Sequence, residues 1–432
     1  MLDIQFIRDN AGIVEQKSRQ KGYQLSVSGL LELDDKRRLL QTEINELRRQ
    51  RNELSGAMKG RRPSDTELAT GRQLKEKLSE LEDHLKKLEA DYLEQLKAVP
   101  NMPLDDVPVG STEEENQIVK TVGEVPKFGF EPKSHHELGE ARELIDKVRA
   151  AKIAGSRFAY LKGDLVRLQF AIIQFVIGEL TNREVIGRLI KENGLNLTDA
   201  PFIPVLPPAM LRTEPYVASS RLNAEEVTYK IEQDDLWLNA SAEHTLCTMY
   251  MDEIIPAEKL PLRFIGYSTS FRREAGTYGK DMEGILRMHQ FDKLEMEVLS
   301  LPETGLDEHK LLIAIQEYLV NKLELPYQLI LKCTADIGKP NARGVDINTW
   351  LPAQQAYRET HTADYMTDYQ SRDLKIRARK EDGNLELVHT NDATAFALGR
   401  VMVAIMENNQ TKEWKIKIPE ALRPFMGGVE LI

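Results

Sequence analysis

Two heptad-patterned segments, separated by a short turn, constrain the fold of this chain more than any other feature. Apolar residues recur at three-, four- and seven-residue spacing from Leu33 to Met58, and again from Leu74 to Leu96. This spacing places one apolar stripe along each of two helices, as in the seam of a coiled coil. Residues 60–64, Gly-Arg-Arg-Pro-Ser, are typical of a turn, and Ser64 with Glu67 predicts a capping box at the start of the second helix. The sequence therefore predicts an antiparallel helical hairpin over about residues 33–97.

The tip of the predicted hairpin is basic. The cluster contains Arg48, Arg49, Arg51, Lys59, Arg61 and Arg62, with Glu53 as the acidic residue among them. Each helix would span roughly 40–50 Å at a rise of about 1.5 Å per residue. A basic tip on a long arm predicts a surface for nucleic-acid phosphates. Two alternatives stay open here: a solvated coiled coil whose charges pair with each other, and an arm that docks another protein.

Composition excludes several classes of protein. The 432 residues carry a formal net charge of −11, with 41% hydrophobic and 29% charged residues, which is typical of a globular protein rather than a disordered one. Two cysteines, Cys247 and Cys333, are too few for a disulfide framework or a cysteine-rich zinc site. The chain begins without the pattern of a signal peptide, contains no apolar run long enough for a membrane span, and has no P-loop motif. We therefore expect a cytoplasmic protein without a membrane partner.

The pattern along the chain predicts two domains. Residues 1–100 are expected to form a helical arm, with a short helix at 1–24, and the Pro-rich acidic stretch 101–120 is expected to be a linker. From 121 to 432 helix and strand signals alternate, with helical periodicity at 138–152 and 164–194 and an extended segment at 203–208. This organisation predicts an α+β second domain.

Residues 264–297 are the strongest candidate for a reactive centre. A β-rich run from Phe264 to Phe271 leads to a loop with Gly276, Gly279, Lys280, Asp281, Glu283 and Gly284, and a second strand-like run starts near Ile285. Such an order predicts an antiparallel hairpin. Guanidinium groups, carboxylates and an aromatic ring on its arms suit phosphate, amine and a nucleotide base. The alternative is a solvated hairpin with ordinary surface charges.

The order of residues in this stretch resembles a known family. Thr-Ser-Phe-Arg-Arg-Glu-Ala-Gly at 269–276 and Arg-Met-His-Gln-Phe-Asp-Lys-Leu-Glu at 287–295 resemble motif 2 of class II aminoacyl-tRNA synthetases, in the form used by seryl-tRNA synthetases. Ser241-Ala242-Glu243 resembles that family's Thr-x-Glu segment, and 203–208 resembles motif 1. Residues 346–374 and 391–410 resemble the segment before motif 3 and motif 3 itself, and 418–428 matches the C-terminal segment. The resemblance spans the whole chain, and it implies a mostly antiparallel sheet flanked by helices.

The resemblance also implies a nucleotide site. Arg272, Glu274, Arg287 and Arg400 would be the catalytic residues, with Arg272 bridging the substrate carboxylate and the α-phosphate, Arg287 on the phosphate side and Arg400 at the terminal phosphate. Phe291 would stack under adenine, with Arg400 over its other face and Glu274 accepting from the adenine amino group. Glu359 and Thr362 would hold Mg²⁺. The implied ATP-binding set is completed by Arg273, Met288, Thr360 and His361.

Serine, transfer RNA and a second subunit are the other implied partners. Glu243 and Glu295 would take the ammonium and hydroxyl of L-serine, with Ser241, Ala242, Arg272 and Thr394 completing that pocket. The basic arm would bind the long variable arm of tRNA(Ser), and the acceptor end would reach the ATP site. The resemblance implies a homodimer, and tRNA(Sec) is a second candidate acceptor.

Three departures from the family pattern bear on the pocket. Asn348 stands where the family usually has Glu, and Asp373 replaces the second residue of a usual Arg pair. Ala393, Ala395 and Phe396 replace a commoner Gly/Ser-rich turn. Two other functions stay open: a paralogue that activates an amino acid for an acceptor such as a carrier protein, and a non-catalytic paralogue that binds RNA or protein.

Overall fold

A computed structural model describes residues 1–221, 228–274 and 284–432. The loop glycines Gly276 and Gly279, with Lys280, Asp281 and Glu283, lie outside the described residues. The chain divides into two compact units, Met1–Met102 and Pro103–Ile432. Within the described ranges, none of the helices is both long and apolar enough to cross a membrane.

Helices alternate with strands after the first unit. The helices are α1 (Ile4–Asp9), α2 (Ala11–Gln20), α3 (Val27–Ala57), α4 (Asp65–Ala98), α5 (His135–Ala141), α6 (Lys147–Ala154), α7 (Asp164–Leu180), α8 (Arg183–Glu192), α9 (Thr213–Ala218), α10 (Glu243–Leu246), α11 (Gly305–Lys322), α12 (Tyr369–Leu374) and α13 (Leu398–Asn408). The strands are β1 (Gln117–Val122), β2 (Ile145–Asp146), β3 (Tyr160–Leu161), β4 (Ile203–Val205), β5 (Met210–Leu211), β6 (Lys230–Ile231), β7 (Leu236–Leu238), β8 (Ile254–Pro256), β9 (Leu262–Phe271), β10 (Gln290–Ser300), β11 (Tyr327–Leu331), β12 (Arg343–Leu351), β13 (Ala356–Thr367), β14 (Arg377–Arg379), β15 (Leu385–Leu387) and β16 (His389–Ala397).

The first unit contains the predicted coiled-coil hairpin. Helices α3 and α4 pack through an apolar seam that includes Ile44 and Leu47 on one helix and Leu78 and Leu85 on the other. Because burial of these side chains supplies most of the stability of a two-helix arm, the heptad pattern was sufficient to predict it. The Ser64 side chain accepts from the main-chain N–H of Glu67, and the Glu67 carboxylate accepts from the N–H of Ser64, so the predicted capping box is present.

A buried carboxylate joins the short N-terminal helices to the base of the arm. Asp34 of α3 is fully buried and forms ion pairs with Arg8 at 2.8 Å, Arg37 at 2.9 Å and Arg38 at 2.8 Å. Burial opposes ionisation of Asp34, but these guanidinium groups outweigh it and lower the pKa of the carboxyl. The segment expected as one short helix at 1–24 is two helices, α1 and α2, which meet at Asn10.

The second unit is built on an eight-stranded sheet in the order β1-β11-β12-β13-β16-β10-β9-β4. Neighbouring strands are antiparallel except for β4, which runs parallel to β9. The predicted α+β architecture, with a mostly antiparallel sheet flanked by helices, is therefore confirmed. Helices α7, α11 and α13 contribute apolar faces to the same buried core as the sheet.

Two predicted helices are interrupted. The periodic segment 138–152 is divided between α5 and α6, because Glu143 adopts a left-handed conformation with φ of 53° and β2 follows it. The segment 164–194 is divided into α7 and α8, because the Asn182 side chain accepts from the N–H of Glu184 and starts a new helix. Both breaks have local causes that the apolar periodicity of the sequence does not reveal.

The stretch expected as a linker at 101–120 is attached to the second unit. The N–H of Leu104 donates to the carbonyl of Ala342 at 2.9 Å, and the Asn116 side chain accepts from the N–H of Cys333 at 2.8 Å. Strand β1 then pairs with β11 at the edge of the large sheet. The second unit consequently begins at Pro103 rather than at 121, because main-chain hydrogen bonds fix a segment whose composition resembles a linker.

Candidate active site

The predicted hairpin is present, and its two arms are strands β9 and β10. They pair from Leu262 with Leu299 to Phe271 with Gln290. The pairing continues past the strand ends, since the N–H of Arg272 donates to the carbonyl of His289 at 2.9 Å. The second strand begins at Gln290 and not near Ile285, because a turn and a bend occupy residues 284–287 before the ladder starts.

A cleft opens beside this hairpin. Its walls come from the hairpin, from β13 and from the start of α13, three segments that are far apart in the sequence. The predicted ATP-site residues that line it are Arg272, Glu274, Arg287, Met288, Phe291, Glu359, Thr360, Thr362 and Arg400, and Thr394 of the predicted serine set joins them. The fold therefore gathers most of the predicted nucleotide site around one cavity.

Two arginines that line the cleft form ion pairs with carboxylates of the cleft. Arg287 pairs with Glu274, and Arg400 donates from Nη1 to the Glu359 carboxylate at 2.9 Å. Partial desolvation would raise the pKa of Glu359, but the positive charges of Arg400 and Lys332 outweigh it and the pKa is lowered. Arg272 points along the cleft with its guanidinium carbon 5.2 Å from the centre of the Phe291 ring. Three guanidinium groups and one aromatic face thus surround the same space.

A β-bulge brings Glu359 and Thr362 to the same side of the sheet. Residues three apart in a regular strand point to opposite faces. In β13 the register shifts between His361, which pairs with Ile347, and Glu359, which pairs with Asn348. Thr360 is the extra residue, so Glu359 and Thr362 both line the cleft.

Two members of the implied ATP set lie elsewhere. The His361 ring is buried, 5.1 Å from the ring of Phe396, and its Nδ1 lies 2.8 Å from the Thr360 hydroxyl. Burial lowers the pKa of His361 to about 3. The side chain of Arg273 is exposed, and within the described residues it is not part of the cleft wall. A direct contact of either side chain with ATP stays a prediction.

The implied serine pocket is a buried polar cluster beside the cleft. The Glu295 carboxylate is fully buried, forms an ion pair with Lys293, and lies 3.4 Å from the Ser241 hydroxyl, which Lys293 also contacts at 3.2 Å. Burial raises the pKa of Glu295 although Lys293 opposes the shift. Thr394 lies opposite Glu295 in the ladder between β10 and β16, and Ala242 is buried next to Ser241. These residues form a buried polar cluster.

Motif reasoning missed Arg221. Its side chain is 16% exposed and forms ion pairs with Glu243 and Asp392, and its Nη2 lies 3.9 Å from Asp364. No motif surrounds Arg221 in the sequence, and its partners lie on α10, β16 and β13, so local pattern offered no signal.

His135 and Arg157 are two further residues that the motifs did not reveal. The His135 Nε2 accepts from the N–H of Ile285 at 3.2 Å, while its Nδ1 lies 2.8 Å from the Glu407 carboxylate. Arg157 donates to the main-chain oxygen of Glu274 at 2.7 Å. Both side chains hold the backbone of the hairpin next to the residues that line the cleft.

The departures noted in the sequence lie in ordered positions. Asn348 faces Glu359 across β12 and β13, and Asp373 lies in α12. The expected small-residue turn at Ala393 to Phe396 is instead a continuous part of β16, buried in the core, and α13 begins directly after it. The physical reason is that Ala393 and Phe396 fill core space on a central strand, where a turn would leave main-chain groups unpaired.

Half of the basic residues at the tip of the arm are already paired. Arg48 contacts Glu82, Arg49 contacts Glu46 and Glu53, and Arg61 contacts Glu67. In the first unit, all of which is described, Arg51, Lys59 and Arg62 form no ion pair with a carboxylate. These three cations are the best placed of the cluster to meet phosphate.

The fold and the cleft define the class of protein. An antiparallel sheet carries a hairpin with Arg272 and a strand-to-helix junction with Arg400, and both face one cleft, as expected of a class II aminoacyl-tRNA synthetase. A family model described as "tRNA synthetase class II core domain (G, H, P, S and T)" matches residues 228–409, and one described as "Seryl-tRNA synthetase N-terminal domain" matches residues 1–103.

Relatives over the full length identify the family. The chain is 36% identical to the serine--tRNA ligase of Syntrophotalea carbinolica, covering 100% of both chains, and 36% identical to that of Nitrosopumilus maritimus, covering 99% of both. It superposes on the crystal structure of seryl-tRNA synthetase from Pyrococcus horikoshii complexed with ATP with a TM-score of 0.86 and 34% identity, over 100% of this chain and 99% of that chain. The chain belongs to the seryl-tRNA synthetase family, as its motifs predicted.

Proposed function

We propose that this chain activates L-serine with ATP and transfers the seryl group to tRNA(Ser). In the first step a serine carboxylate oxygen attacks the α-phosphorus of ATP, the bond to the bridging oxygen breaks, and pyrophosphate leaves. In the second step a ribose hydroxyl at the tRNA acceptor end attacks the seryl carbonyl, and AMP leaves. The observation that carries the proposal is the cleft that joins Arg272, Phe291, Glu359 and Arg400 beside the buried Ser241–Glu295 cluster.

The residues of the cleft act mainly by position and charge. Arg272 lies between the Phe291 ring and the Ala240 carbonyl, to which its Nε donates at 3.2 Å, so its guanidinium is held at the junction of the nucleotide and serine sites. From there it would bind both the serine carboxylate and the α-phosphate and stabilise charge in the transition state. Arg287 and Arg400 would exchange their carboxylate partners for phosphate oxygens. Phe291 would offer its ring to adenine.

The donor set of the cleft fits a magnesium ion. Glu359 supplies a carboxylate and Thr362 a hydroxyl, and both are hard oxygen ligands of the type that Mg²⁺ prefers. Thr362 lies opposite Asp346 in the ladder between β12 and β13, so a second carboxylate lies beside Thr362. When bound, the ion would neutralise charge on the phosphates of ATP.

Serine selection would rest on the buried polar pocket. A pocket with fixed hydrogen-bonding groups rejects analogues that lack the matching hydroxyl, because its own polar groups would be left unpaired. Glu295 and Glu243 would accept hydrogen bonds from the ammonium and hydroxyl of serine. Ser241 and Thr394 both lie beside Glu295 and carry hydroxyl groups. Alanine, which lacks the hydroxyl, is therefore the informative competitor.

The arm and the subunit contact complete the proposal. Arg51, Lys59 and Arg62 would bind backbone phosphates of the long variable arm of tRNA(Ser), and tRNA(Sec) is a second candidate acceptor. Ile203 and Leu206 lie in the segment that resembles motif 1 and are 49% and 81% exposed, which favours a homodimer contact there. Sedimentation analysis tests the dimer. The cytoplasmic location stays a prediction.

Pyrophosphate exchange across a panel of amino acids tests the function. We expect radiolabelled pyrophosphate to enter ATP with serine and not with alanine, and tRNA(Ser) to be charged. Exchange without charging of any tRNA would favour the paralogue that serves another acceptor, such as a carrier protein. Absence of exchange with every amino acid would favour the non-catalytic paralogue.

A further inference from the structure

Three buried carboxylates form a row across the centre of the large sheet. Glu297 of β10 lies opposite Asp392 of β16, and Asp392 lies opposite Asp364 of β13. Each of the three residues is at most 6% exposed. Side chains directly opposite each other in an antiparallel ladder are about 4.5–5.5 Å apart at Cβ, and like charges at such positions are destabilising. The row therefore needs a nearby positive charge.

The row continues into the proposed serine pocket. Carboxylate oxygens of Glu243, Glu295 and Asp392 all lie within 4.8 Å of one another. Burial raises the pKa of both Glu297 and Asp392, as expected for carboxylates crowded away from solvent. Five carboxylates thus share one desolvated region of the sheet.

Cations from separate elements reach this region. Lys293 pairs with Glu295, the charge of Lys332 opposes the rise in the pKa of Asp364, and Arg221 contacts Glu243 and Asp392. The Arg221 Nε contacts Glu243, and its Nη2 contacts Asp392 and lies 3.9 Å from Asp364. Because a guanidinium is planar and offers several donors in a fixed fork, it fixes two carboxylates relative to each other in a way that a point charge does not.

We propose that Arg221 is a positioning residue for serine recognition, which it supports by binding the adjacent carboxylates of Glu243 and Asp392 and so fixing Glu243 in the orientation that accepts the substrate. This inference rests on the proposed function. Without Arg221, Glu243 would face Asp392 and Glu295 unshielded, and a carboxylate in that position turns away or takes up a proton. Within the described residues, Arg221 is not part of the wall of the ATP cleft. Its loss should consequently affect serine binding and leave ATP binding nearly unchanged.

Steady-state pyrophosphate exchange with varied serine and varied ATP tests this role. We expect R221M to raise the KM for serine by about tenfold or more, with the KM for ATP within about threefold of wild type. R221K should recover part of the loss, because lysine keeps the charge but not the fork. The matched control is R183M, since Arg183 forms an exposed ion pair with Asp199 and contacts neither site.

A double variant separates positioning from simple charge balance. R221M/D392N removes one negative charge together with the positive one, so it also serves if R221M does not fold. If Arg221 is a positioning residue, the KM of the double variant for serine should stay about tenfold raised even when its unfolding temperature returns to the wild-type value. A serine KM within twofold of wild type in R221M, or its return to wild type in the double variant, would overturn the inference. Failure of the wild type to exchange with serine would instead overturn the proposed function, so the two failures are distinct.

Discussion

Arg400 donates from Nη1 to both the main-chain oxygen of Glu359, at 2.8 Å, and its carboxylate, at 2.9 Å. The residue proposed to hold the terminal phosphate is thus paired with the residue proposed to hold Mg²⁺. Binding of the phosphates to Arg400 would release Glu359 for the ion, and binding of the ion would release Arg400 for the phosphates. This exchange of partners implies that ATP and Mg²⁺ bind with positive coupling.

Substitution of Glu359 tests its assignment as a ligand of Mg²⁺. We expect E359Q to raise the Mg²⁺ concentration for half-maximal exchange by about 10–100-fold, because one charged oxygen ligand is lost. The serine KM measured at saturating Mg²⁺ should stay within about twofold of wild type. The measurement is serine-dependent pyrophosphate exchange over a magnesium titration, with E317Q as a control on a carboxylate that lies outside the cleft wall among the described residues. An unchanged magnesium requirement in E359Q would contradict the assignment.

Substitution of Gly284 by alanine tests whether His135 supports the hairpin. Gly284 has φ of +61°, and a Cβ at this position would lie 1.9 Å from the His135 Nε2. G284A should therefore displace the imidazole that accepts from Ile285 and shift Arg287 and Met288 with it. A displacement of this kind costs about 10²-fold in kcat/KM for ATP.

The control for this substitution is G178A in α7, where a Cβ would meet nothing within 4 Å. Alanine in a helix interior is favoured over glycine by about 0.5–1 kcal/mol, so G178A should keep full activity and unfold at the same or a higher temperature. Equal activity of G284A and wild type would show that the His135 contact does not position the cleft.

The cations at the tip of the arm should act on tRNA alone. R51Q/K59Q/R62Q should raise the KM for tRNA(Ser) by about tenfold or more and lower the slope of log affinity against log salt by about one for each lost phosphate contact. Serine-dependent pyrophosphate exchange should stay within about twofold of wild type. Filter binding across a salt series measures the slope, and R183Q/R188Q/K191Q on α8 is a control of equal charge change.

Deletion of the arm should have the same effect on tRNA, but a larger one. Removal of residues 36–97 should leave serine-dependent exchange largely intact while charging of tRNA(Ser) is lost. Charging at the wild-type rate after this deletion would show that the arm serves another partner, which was the alternative that its sequence left open.

Features set by local pattern were predictable from the sequence. The apolar stripe along each helix of the arm repeats at three- and four-residue spacing, and the Ser64 capping box spans three residues, so apolar spacing and cap chemistry were enough to predict both. The gathering of Arg272 and Arg400 in one cleft was predictable because their motifs are long and ordered. Their individual contacts with ATP are still untested.

Features set by pairing between distant strands were not predictable. The bulge at Thr360 has no glycine or proline to indicate it, and only the register with β12 shows that Glu359 and Thr362 share a face. The stretch 101–120 looked like a linker because main-chain hydrogen bonds to Ala342 and Cys333 leave no trace in composition. The role of Arg221 could not be predicted for the same reason, because its partners come from three separate elements.

Buried His309 predicts that the second unit loses stability in mild acid. Its Nε2 donates to the Ala363 carbonyl at 3.1 Å, and its Nδ1 lies 3.4 Å from the Arg343 guanidinium, which together fix a neutral ring. Burial, with Arg343 beside it, lowers the pKa of His309 to about 3, compared with about 6.5 in an unfolded chain. Because the unfolded state binds the extra proton between these values, the contribution of His309 to the free energy of unfolding should fall by about 1.4 kcal/mol per pH unit from pH 6.5 downwards, and be constant above it. H309Q keeps a donor and an acceptor but does not titrate. The slope of its free energy of unfolding against pH should therefore be smaller than that of wild type, by the equivalent of up to one proton, in urea unfolding at pH 7, 6 and 5.

The three tryptophans all lie in the second unit and report its unfolding by fluorescence. H84Q is the control, because His84 lies in the first unit and the tryptophans report the second. An H309Q slope equal to that of wild type would show that His309 is not a source of the acid sensitivity.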